Sequence, residues 1–267
     1  MVPLLVSCDW LSEKVKSGDL SNIIILDVSW SSTKDCYEEY KKQHIPGSQY
    51  LNIMCGDHTD IYPRNIPTTQ QFTDIVQAVG VNTTSHVVVY SSSDRAGYFM
   101  AGRGWWTFKY FGHENVSILD GGLQKWLNLN LPVTVTSTEC KRGDFVVKIN
   151  RPIYKSFEDV KANTESKVFQ VIDSRTSSAY TDGHIPEAFN LTMVDLINTE
   201  DGVLKSEQDI HSLFNNIGID LSKPIVTHCN SGMSSCTLAF AAMYLGCKNV
   251  SVYHGGFTEW NKRQEEK

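Results

Sequence analysis

Val250-Ser-Val-Tyr-His-Gly-Gly256, which leads on to Trp260, repeats an earlier stretch of the same chain, Val116-Ser-Ile-Leu-Asp-Gly-Gly122, which leads on to Trp126. Each copy is a short apolar, β-rich run followed by two glycines and then a tryptophan. A match of this kind indicates internal duplication when other landmarks recur in the same order.

Three further landmarks do recur, upstream of these stretches. The offset between the copies falls from 146 residues (173 − 27) at the first landmark to 134 (260 − 126) at the tryptophans. The sequence therefore predicts two tandem domains, at residues 1–135 and 151–267, joined by a polar linker at 136–150. The recurring landmarks are Ile23-Ile-Ile-Leu-Asp27 with Phe169-Gln-Val-Ile-Asp173, the two His-Ile-Pro motifs at 44 and 184, and the runs 86–90 and 224–228.

Each repeat alternates short apolar runs with stretches of helical character. The runs at 23–26, 87–90 and 116–119 show no polar alternation, which is typical of strands buried on both faces of a sheet. Residues 237–245, closed by Gly246, have the composition of a helix with a glycine stop. The fold class predicted is α/β, with a mostly parallel sheet flanked by helices in each domain.

The overall composition disfavours several classes of protein. The chain has 267 residues, with 24 Lys and Arg against 30 Asp and Glu, and its net charge is −6. Since it has no basic block, no nucleic-acid partner is expected. No apolar run approaches the ~20 residues that cross a bilayer, and residues 1–10 lack the basic start of a targeting peptide. We expect a cytoplasmic protein with no membrane partner, a monomer or weak dimer, with mitochondria as the alternative location.

One of the seven cysteines stands out by its context, Pro224-Ile-Val-Thr-His-Cys229-Asn-Ser-Gly-Met-Ser-Ser-Cys236. A buried strand ends at His228, Cys229 opens a short loop with a glycine, and a helix follows. The sulfur is thereby placed at the carboxyl edge of the sheet, where ligands bind. Loop amides and the helix N-terminus would face it and stabilise a thiolate.

The alternative is a cysteine that only packs at a strand end, as most free cysteines do. The first repeat favours a function, because Ser91 stands at the position equivalent to Cys229 and residues 91–97 hold no thiol. The cysteines show neither a C-x-x-C pair nor the spacing of a zinc site. We therefore expect reduced thiols, no metal and no organic cofactor.

The size of the loop indicates which thiol chemistry it suits. A cysteine phosphatase needs an arginine six positions after the nucleophile to clamp phosphate, and that position holds Ser235. Phosphoryl transfer is therefore disfavoured. The shorter cradle from Cys229 to Ser234 suits a persulfide held by backbone donors.

Cys229-Asn-Ser-Gly-Met-Ser-Ser is similar to the Cys-x-x-Gly-x-Ser/Thr active loop of the rhodanese sulfurtransferases. Asp173-Ser-Arg175, the two His-Ile-Pro motifs and the two Gly-Gly…Trp endings resemble that family as well. The resemblance covers nearly the whole chain and is specific to the tandem-domain members, which act on 3-mercaptopyruvate or thiosulfate. It implies two rhodanese-like domains, an inactive one at 1–135 and a catalytic one at 151–267.

The resemblance also implies the roles of the site residues. Cys229 is the nucleophile that carries the sulfur, and Ser231 relays a proton. The partners are a small anionic sulfur donor and a thiol or cyanide acceptor, with a thioredoxin-like reductant as a further candidate. The residues expected to bind the donor are Arg175, which would hold its charge, and Asn230, Gly232, Met233 and Ser234 of the loop.

The preferred donor depends on the loop. The thiosulfate enzymes resemble Cys-Arg-Lys-Gly and the mercaptopyruvate enzymes Cys-Gly-Ser-Gly. Asn230 and Ser231 are both uncharged; Ser231 matches the mercaptopyruvate pattern and favours that donor, whereas Asn230 matches neither. Because rhodanese domains often lose activity, a non-catalytic rhodanese-type binding module is the alternative function. Two departures from the family pattern keep thiosulfate as the alternative donor. Residues 176–183 lack the second donor arginine, and Arg64 stands where the family has a relay histidine; it either replaces the missing cation or lies in a surface loop.

The remaining candidates have plainer explanations. Cys236 is either a resolving thiol for Cys229 or, as we favour, a packed helix residue. His44 and His184 recur in both repeats, including the one without the cysteine, which favours a structural role in the turn.

Overall fold

The computed structural model describes residues 2–92 and 97–265, which fall into two compact units. Unit 1 comprises the described residues of Met1–Gly56, Ile66–Ile149 and Thr199–Val203. Unit 2 comprises those of Asp57–Asn65, Asn150–Asn198 and Leu204–Lys267. Residues 57–65 thus belong to unit 2 although most of unit 1 follows them in the chain.

Unit 1 is a parallel sheet with helices between its strands. In the described residues the strands run in the spatial order β1-β5-β4-β2-β3, with bounds Leu5–Val6 (β1), Val116–Leu119 (β5), His86–Tyr90 (β4), Ile23–Asp27 (β2) and Ser48–Tyr50 (β3). The helices are Cys8–Ser17 (α1), Cys36–Lys42 (α2), Thr69–Ala78 (α3), Tyr98–Tyr110 (α4) and Gly122–Asn128 (α5).

Unit 2 repeats this architecture. Its described strands lie in the order β6-β10-β9-β7-β8, with bounds Tyr154–Lys155 (β6), Val250–Tyr253 (β10), Ile225–His228 (β9), Gln170–Asp173 (β7) and Phe189–Asn190 (β8). The helices are Phe157–Ser166 (α6), Ser177–Thr181 (α7), Glu207–Asn216 (α8), Ser234–Tyr244 (α9) and Gly256–Glu265 (α10), with 3₁₀ turns at Arg151–Ile153 and Met193–Leu196.

The two sheets confirm the predicted fold class. Every pair of neighbouring strands is parallel, and the second sheet has the strand order of the first with each number raised by five. The central strands β4, β5, β9 and β10 are buried along their whole length, as their continuous apolar or β-branched runs predict.

Each His-Ile-Pro turn packs its histidine on a tyrosine four residues earlier. The His44 ring stacks on Tyr40 at 3.9 Å and the His184 ring on Tyr180 at 4.0 Å, and each Nδ1 lies within 2.9 Å of that tyrosine's carbonyl oxygen. The same contacts in both units support the structural interpretation of these histidines.

Residues 136–150, predicted to be a linker, pack along unit 1 as far as Ile149. Phe145 is 1% exposed and lies edge-on to the rings of Phe72, at 6.0 Å, and His113, at 5.4 Å. Its carbonyl oxygen accepts a hydrogen bond from Gln77 Nε2 at 2.9 Å. This part of the chain is anchored rather than free to swing. In residues 2–92 and 97–265, no helix has the length and apolarity needed to cross a membrane.

The anchoring of this segment can be tested at two adjacent side chains. Phe145→Ala removes a buried ring, so we expect the free energy of unfolding of unit 1 to fall by about 3–5 kcal/mol. Val146 is 70% exposed, and Val146→Ala is expected to stay within about 0.5 kcal/mol of the wild type. Denaturant titration followed by tryptophan fluorescence measures both changes, and equally small effects would contradict the anchoring.

Candidate active site

Cys229 and Ser174 follow two neighbouring strands of unit 2. The last residues of these strands, Asp173 in β7 and His228 in β9, are paired in register, and Ser174 N–H donates to the His228 carbonyl at 2.8 Å. The chain leaves β7 towards β8 on one side of the sheet and leaves β9 towards β10 on the other. The ends of β7 and β9 therefore form the switch point of the sheet, and ligands of α/β sheets bind at the carboxyl edge next to such a point.

Two hydrogen-bond donors at the start of α9 face the Cys229 sulfur. Cys229 is 4% exposed, and its sulfur accepts a hydrogen bond from the Met233 N–H at 3.1 Å. The Ser235 hydroxyl donates to it at 3.6 Å. Since α9 begins at Ser234, its positive end faces the sulfur and favours an anionic form.

The carbonyl groups of the same loop are bound by another helix. At the start of α10, the Phe257 N–H donates to the Cys229 carbonyl at 2.7 Å and the Thr258 N–H to the Asn230 carbonyl at 3.0 Å. Because the C=O and N–H of a trans peptide point in opposite directions, the N–H groups of Asn230 and Ser231 point away from α10. The loop therefore turns its oxygens to one helix and its amides to the other side.

Two glycines allow the loop to pack closely against α10 and His254. Gly232 has φ +70°, and a Cβ there would lie 2.3 Å from His254 Nδ1. Gly256 has φ +59°, and a Cβ there would lie 2.3 Å from the Cys229 carbonyl oxygen. Both positions need a residue without a side chain that can adopt the left-handed region.

The other predicted loop residues take different positions. Asn230 is exposed, and Met233 is 3% exposed and offers only its backbone to the sulfur. The Ser234 hydroxyl lies 2.6 Å from the Ser174 hydroxyl and thereby ties α9 to the end of β7. Ser231 is half-buried, and its hydroxyl makes no hydrogen bond to any residue that the structure describes; its role as a proton relay stays a prediction.

Arg175 lies beside the loop but is engaged by an internal partner. Its Nε and Nη2 donate to the buried Asp173 carboxylate, at 2.6 Å for the shortest contact, and Nη2 also donates to the Gly183 carbonyl. The guanidinium lies 3.7 Å above the Phe257 ring. Of the three guanidinium nitrogens, only Nη1 makes no hydrogen bond to a described residue. If Arg175 binds the negative charge of the sulfur donor, as the sequence predicts, Nη1 is the nitrogen that would do so.

His228 completes a buried polar group behind the cysteine. Its side chain is fully buried, its Nδ1 lies 3.2 Å from the Cys229 carbonyl oxygen, and its Nε2 lies 3.6 Å from Asp173 Oδ2. Burial lowers the pKa of His228, although the Asp173 charge opposes that shift. A neutral imidazole at neutral pH follows, which supports the loop without adding a charge to it.

Sequence reasoning missed a contact from a distant segment. Glu259 in α10 is 1% exposed, and its Oε1 accepts a hydrogen bond from the Tyr62 hydroxyl at 2.5 Å and forms an ion pair with Arg263 Nε at 2.9 Å. Burial and the Glu259 carboxylate raise the pKa of Tyr62 to about 12, so the hydroxyl stays a donor. The Tyr62 ring stacks on His254, the residue that a Cβ at Gly232 would strike. No spacing rule links residues 197 positions apart.

Arg64 and Cys236 were left with two interpretations each. Arg64 lies in the 57–65 segment, which belongs to unit 2, and its Nη1 donates to the Pro63 carbonyl; a contact of Arg64 with the sulfur donor remains a prediction.

Cys236 is fully buried in α9, with its thiol 3.2 Å from the Gly232 carbonyl oxygen. That position supports the interpretation of Cys236 as a packed helix residue.

Unit 1 builds the same backbone frame with different side chains. The Leu123 N–H at the start of α5 donates to the Ser91 carbonyl at 3.2 Å, as Phe257 does to Cys229. Asp27 is buried like Asp173, but its carboxylate accepts from the Ser29 hydroxyl where that of Asp173 accepts from the Arg175 guanidinium. Residues 93–96 of the first loop, which the sequence comparison included, lie outside the described residues. At the described positions, unit 1 has hydroxyls where unit 2 has the thiol and the guanidinium.

The family is shown by comparison with known proteins. The model of the rhodanese-like domain matches residues 7–129 and again 156–263. The chain belongs to the rhodanese family and carries two copies of its domain.

Its relatives include enzymes of both donor types. The chain is 35% identical to the 3-mercaptopyruvate sulfurtransferase of Mus musculus over 98% of its own length and 93% of that protein. It is 38% identical to the thiosulfate sulfurtransferase of Gallus gallus over 97% and 93% respectively. Among solved structures, SseA of Escherichia coli, a 3-mercaptopyruvate sulfurtransferase, matches with a TM-score of 0.86 at 30% identity, over 96% of this chain and 99% of that one.

The close packing of the loop predicts the effect of adding a side chain at Gly232. The Cβ added in Gly232→Ala would clash with the backbone and ring of His254. The loop must then shift, which moves the Met233 N–H and the Ser235 hydroxyl away from the Cys229 sulfur. Because those donors favour the thiolate, which is the form that reacts, we expect the rate of Cys229 alkylation at neutral pH to fall by about tenfold or more.

Gly246→Ala is the matched control. Gly246 also has a positive φ, +88°, but a Cβ there would meet nothing within 4 Å. It is expected to lower stability slightly and to leave the alkylation rate near the wild-type value. Equal rates in the two variants would contradict the proposed close fit of the loop.

Proposed function

We propose that the protein is a sulfurtransferase that takes a sulfur atom from 3-mercaptopyruvate, carries it as a persulfide on Cys229 and passes it to a thiol or cyanide. One observation carries the proposal: the Cys229 sulfur faces an N–H and an O–H donor at the start of α9. Donors fixed in this way favour the anionic sulfur that both halves of such a reaction require.

In the first half-reaction the Cys229 thiolate attacks the sulfur of the donor. An S–S bond forms, the donor's C–S bond breaks, and its electron pair stays on carbon as the enolate of pyruvate. The proton of the donor thiol ends on that carbon, which leaves pyruvate and the persulfide anion. Loop amides and the helix N-terminus support the charge on sulfur.

In the second half-reaction the acceptor attacks the outer sulfur. The S–S bond breaks, and its electron pair returns to Cys229 as the thiolate. A thiol becomes a persulfide, and cyanide becomes thiocyanate. Because donor and acceptor use the same sulfur in turn, ping-pong kinetics are expected. A thioredoxin-like dithiol is a candidate acceptor.

The choice of donor rests on charge. No cation stands among residues 229–234, and two of the three Arg175 nitrogens are engaged by Asp173 and Gly183. One remaining guanidinium nitrogen suits a single carboxylate better than a dianion. Thiosulfate is the second candidate, favoured by the 38% identity to the chicken thiosulfate enzyme.

The redox state of the cysteines bears on location. All seven cysteines are free thiols in the structure, which supports a reducing compartment such as the cytoplasm.

Covalent loading separates an enzyme from a non-catalytic binding module. After incubation with 3-mercaptopyruvate and removal of excess donor, we expect intact-mass spectrometry to show a gain of about 32 Da, one sulfur atom held as a persulfide. The gain disappears in Cys229→Ser and persists in Cys140→Ser, which removes an exposed thiol of unit 1. A wild-type protein that gains no mass with either donor would support the binding module instead.

The donor itself is decided by steady-state kinetics. We expect kcat/KM for 3-mercaptopyruvate to exceed that for thiosulfate by about tenfold or more, since this ratio measures discrimination in the transition state. The measurement uses the same acceptor and pH for both donors. A ratio in favour of thiosulfate would overturn the choice of donor and leave the persulfide mechanism intact.

A further inference from the structure

Ser235 places a hydroxyl on the reactive sulfur. It is the second residue of α9, it is fully buried, and its Oγ lies 3.6 Å from Cys229 Sγ. Within the described residues this is the one hydrogen bond that the hydroxyl makes. A buried hydroxyl without another partner stays directed at the sulfur, because turning away would leave it unsatisfied.

The backbone of Ser235 is fixed to the sheet. Thr227 in β9 is fully buried, and its hydroxyl donates to the Ser235 carbonyl at 2.8 Å. Strand β9 ends at the residue before Cys229. The donor and the sulfur are thus held by the same strand, which keeps their separation constant.

The two donors on the sulfur differ in kind. The Met233 N–H belongs to the backbone and is present whatever residue stands there, whereas the Ser235 O–H is supplied by one side chain. A neutral thiol could itself donate to the Ser235 oxygen. A thiolate has no proton and can only accept, so ionisation of Cys229 turns the hydroxyl into a donor to the charge.

We propose that Ser235 is a catalytic residue whose hydroxyl stabilises the Cys229 thiolate. The inference rests on the proposed function and deepens it. In the persulfide the charge lies on the outer sulfur, so the hydrogen bond to the inner sulfur is weak. It strengthens again when the acceptor attacks and Cys229 leaves as a thiolate. Ser235 therefore assists the second half-reaction, in which Cys229 is the leaving group.

Alkylation of Cys229 tests the proposal without any sulfur donor. Iodoacetamide reacts with the thiolate, and fragment sequencing of the tryptic peptide locates the label on Cys229. In Ser235→Ala we expect the midpoint of the pH profile to rise by about one pH unit, which is a tenfold loss of thiolate at lower pH. At high pH the rate should equal or exceed that of the wild type, because a less stabilised thiolate is the stronger nucleophile.

Controls separate this effect from a loss of packing. Ser251 is a second buried serine of unit 2, and its hydroxyl donates to the Pro152 carbonyl at 2.9 Å; Ser251→Ala should leave the profile unchanged. Ser235→Thr and Ser235→Val have nearly equal volume and differ by one hydroxyl. If Ser235→Ala does not fold, this pair tests the hydroxyl in its place. The raised midpoint of the alkylation pH profile is then expected in Ser235→Val and not in Ser235→Thr.

Single-turnover kinetics test the second half-reaction. With persulfide-loaded protein and a thiol acceptor, we expect sulfur release in Ser235→Ala to be about tenfold slower, less than the hundredfold or more for an oxyanion donor because sulfur accepts weakly. An unchanged midpoint and an unchanged release rate in a folded variant would overturn the proposal. If the wild type takes up no sulfur, the proposed function fails, while the alkylation profile still decides the role of Ser235.

Discussion

The hydrogen bonds from the start of α10 to the carbonyl groups of Cys229 and Asn230 set the direction of the two peptide groups that follow the cysteine. With the oxygens bound on one side, the amides must point to the other, and the sulfur meets the start of α9. The two glycines follow from the same constraint, because the loop carbonyls leave no room for a Cβ at Gly256 and His254 leaves none at Gly232. A loop held between two helix N-termini is preorganised for an anion.

The duplicated domain explains which parts of this frame are structural. Both units pair an aspartate-ended strand with the strand that leads into the loop, and both bind the loop carbonyl from a helix start. What unit 2 adds is a thiol at Cys229 and a guanidinium at Arg175 in place of Ser91 and Ser29. The frame alone gives a stable turn at the edge of a sheet. Under the proposed function, the added groups give it nucleophilic chemistry.

The sequence was sufficient for the fold, since continuous apolar runs predict buried parallel strands. The internal repeat also singles out Cys229 as the candidate nucleophile. It could not show that Asp173 engages Arg175, because the pairing of side chains two positions apart depends on how the backbone turns after β7. In the sequence, Ser235 mattered only because a cysteine phosphatase would have an arginine at that position. The helix predicted from residue 237 begins at Ser234, and this earlier start brings the Ser235 hydroxyl to the sulfur. The contact of Tyr62 with Glu259 depends on tertiary folding and leaves no local pattern.

The central claim is that unit 2 holds one sulfur atom on Cys229 in a cradle of donors. A crystal structure of the protein after exposure to 3-mercaptopyruvate tests it most directly. The account predicts extra density for a single sulfur bonded to Cys229 Sγ, facing the N–H groups of residues 230–234, with the α10 hydrogen bonds intact. Sulfur on another cysteine, or a loop whose carbonyls have left α10, would contradict the account.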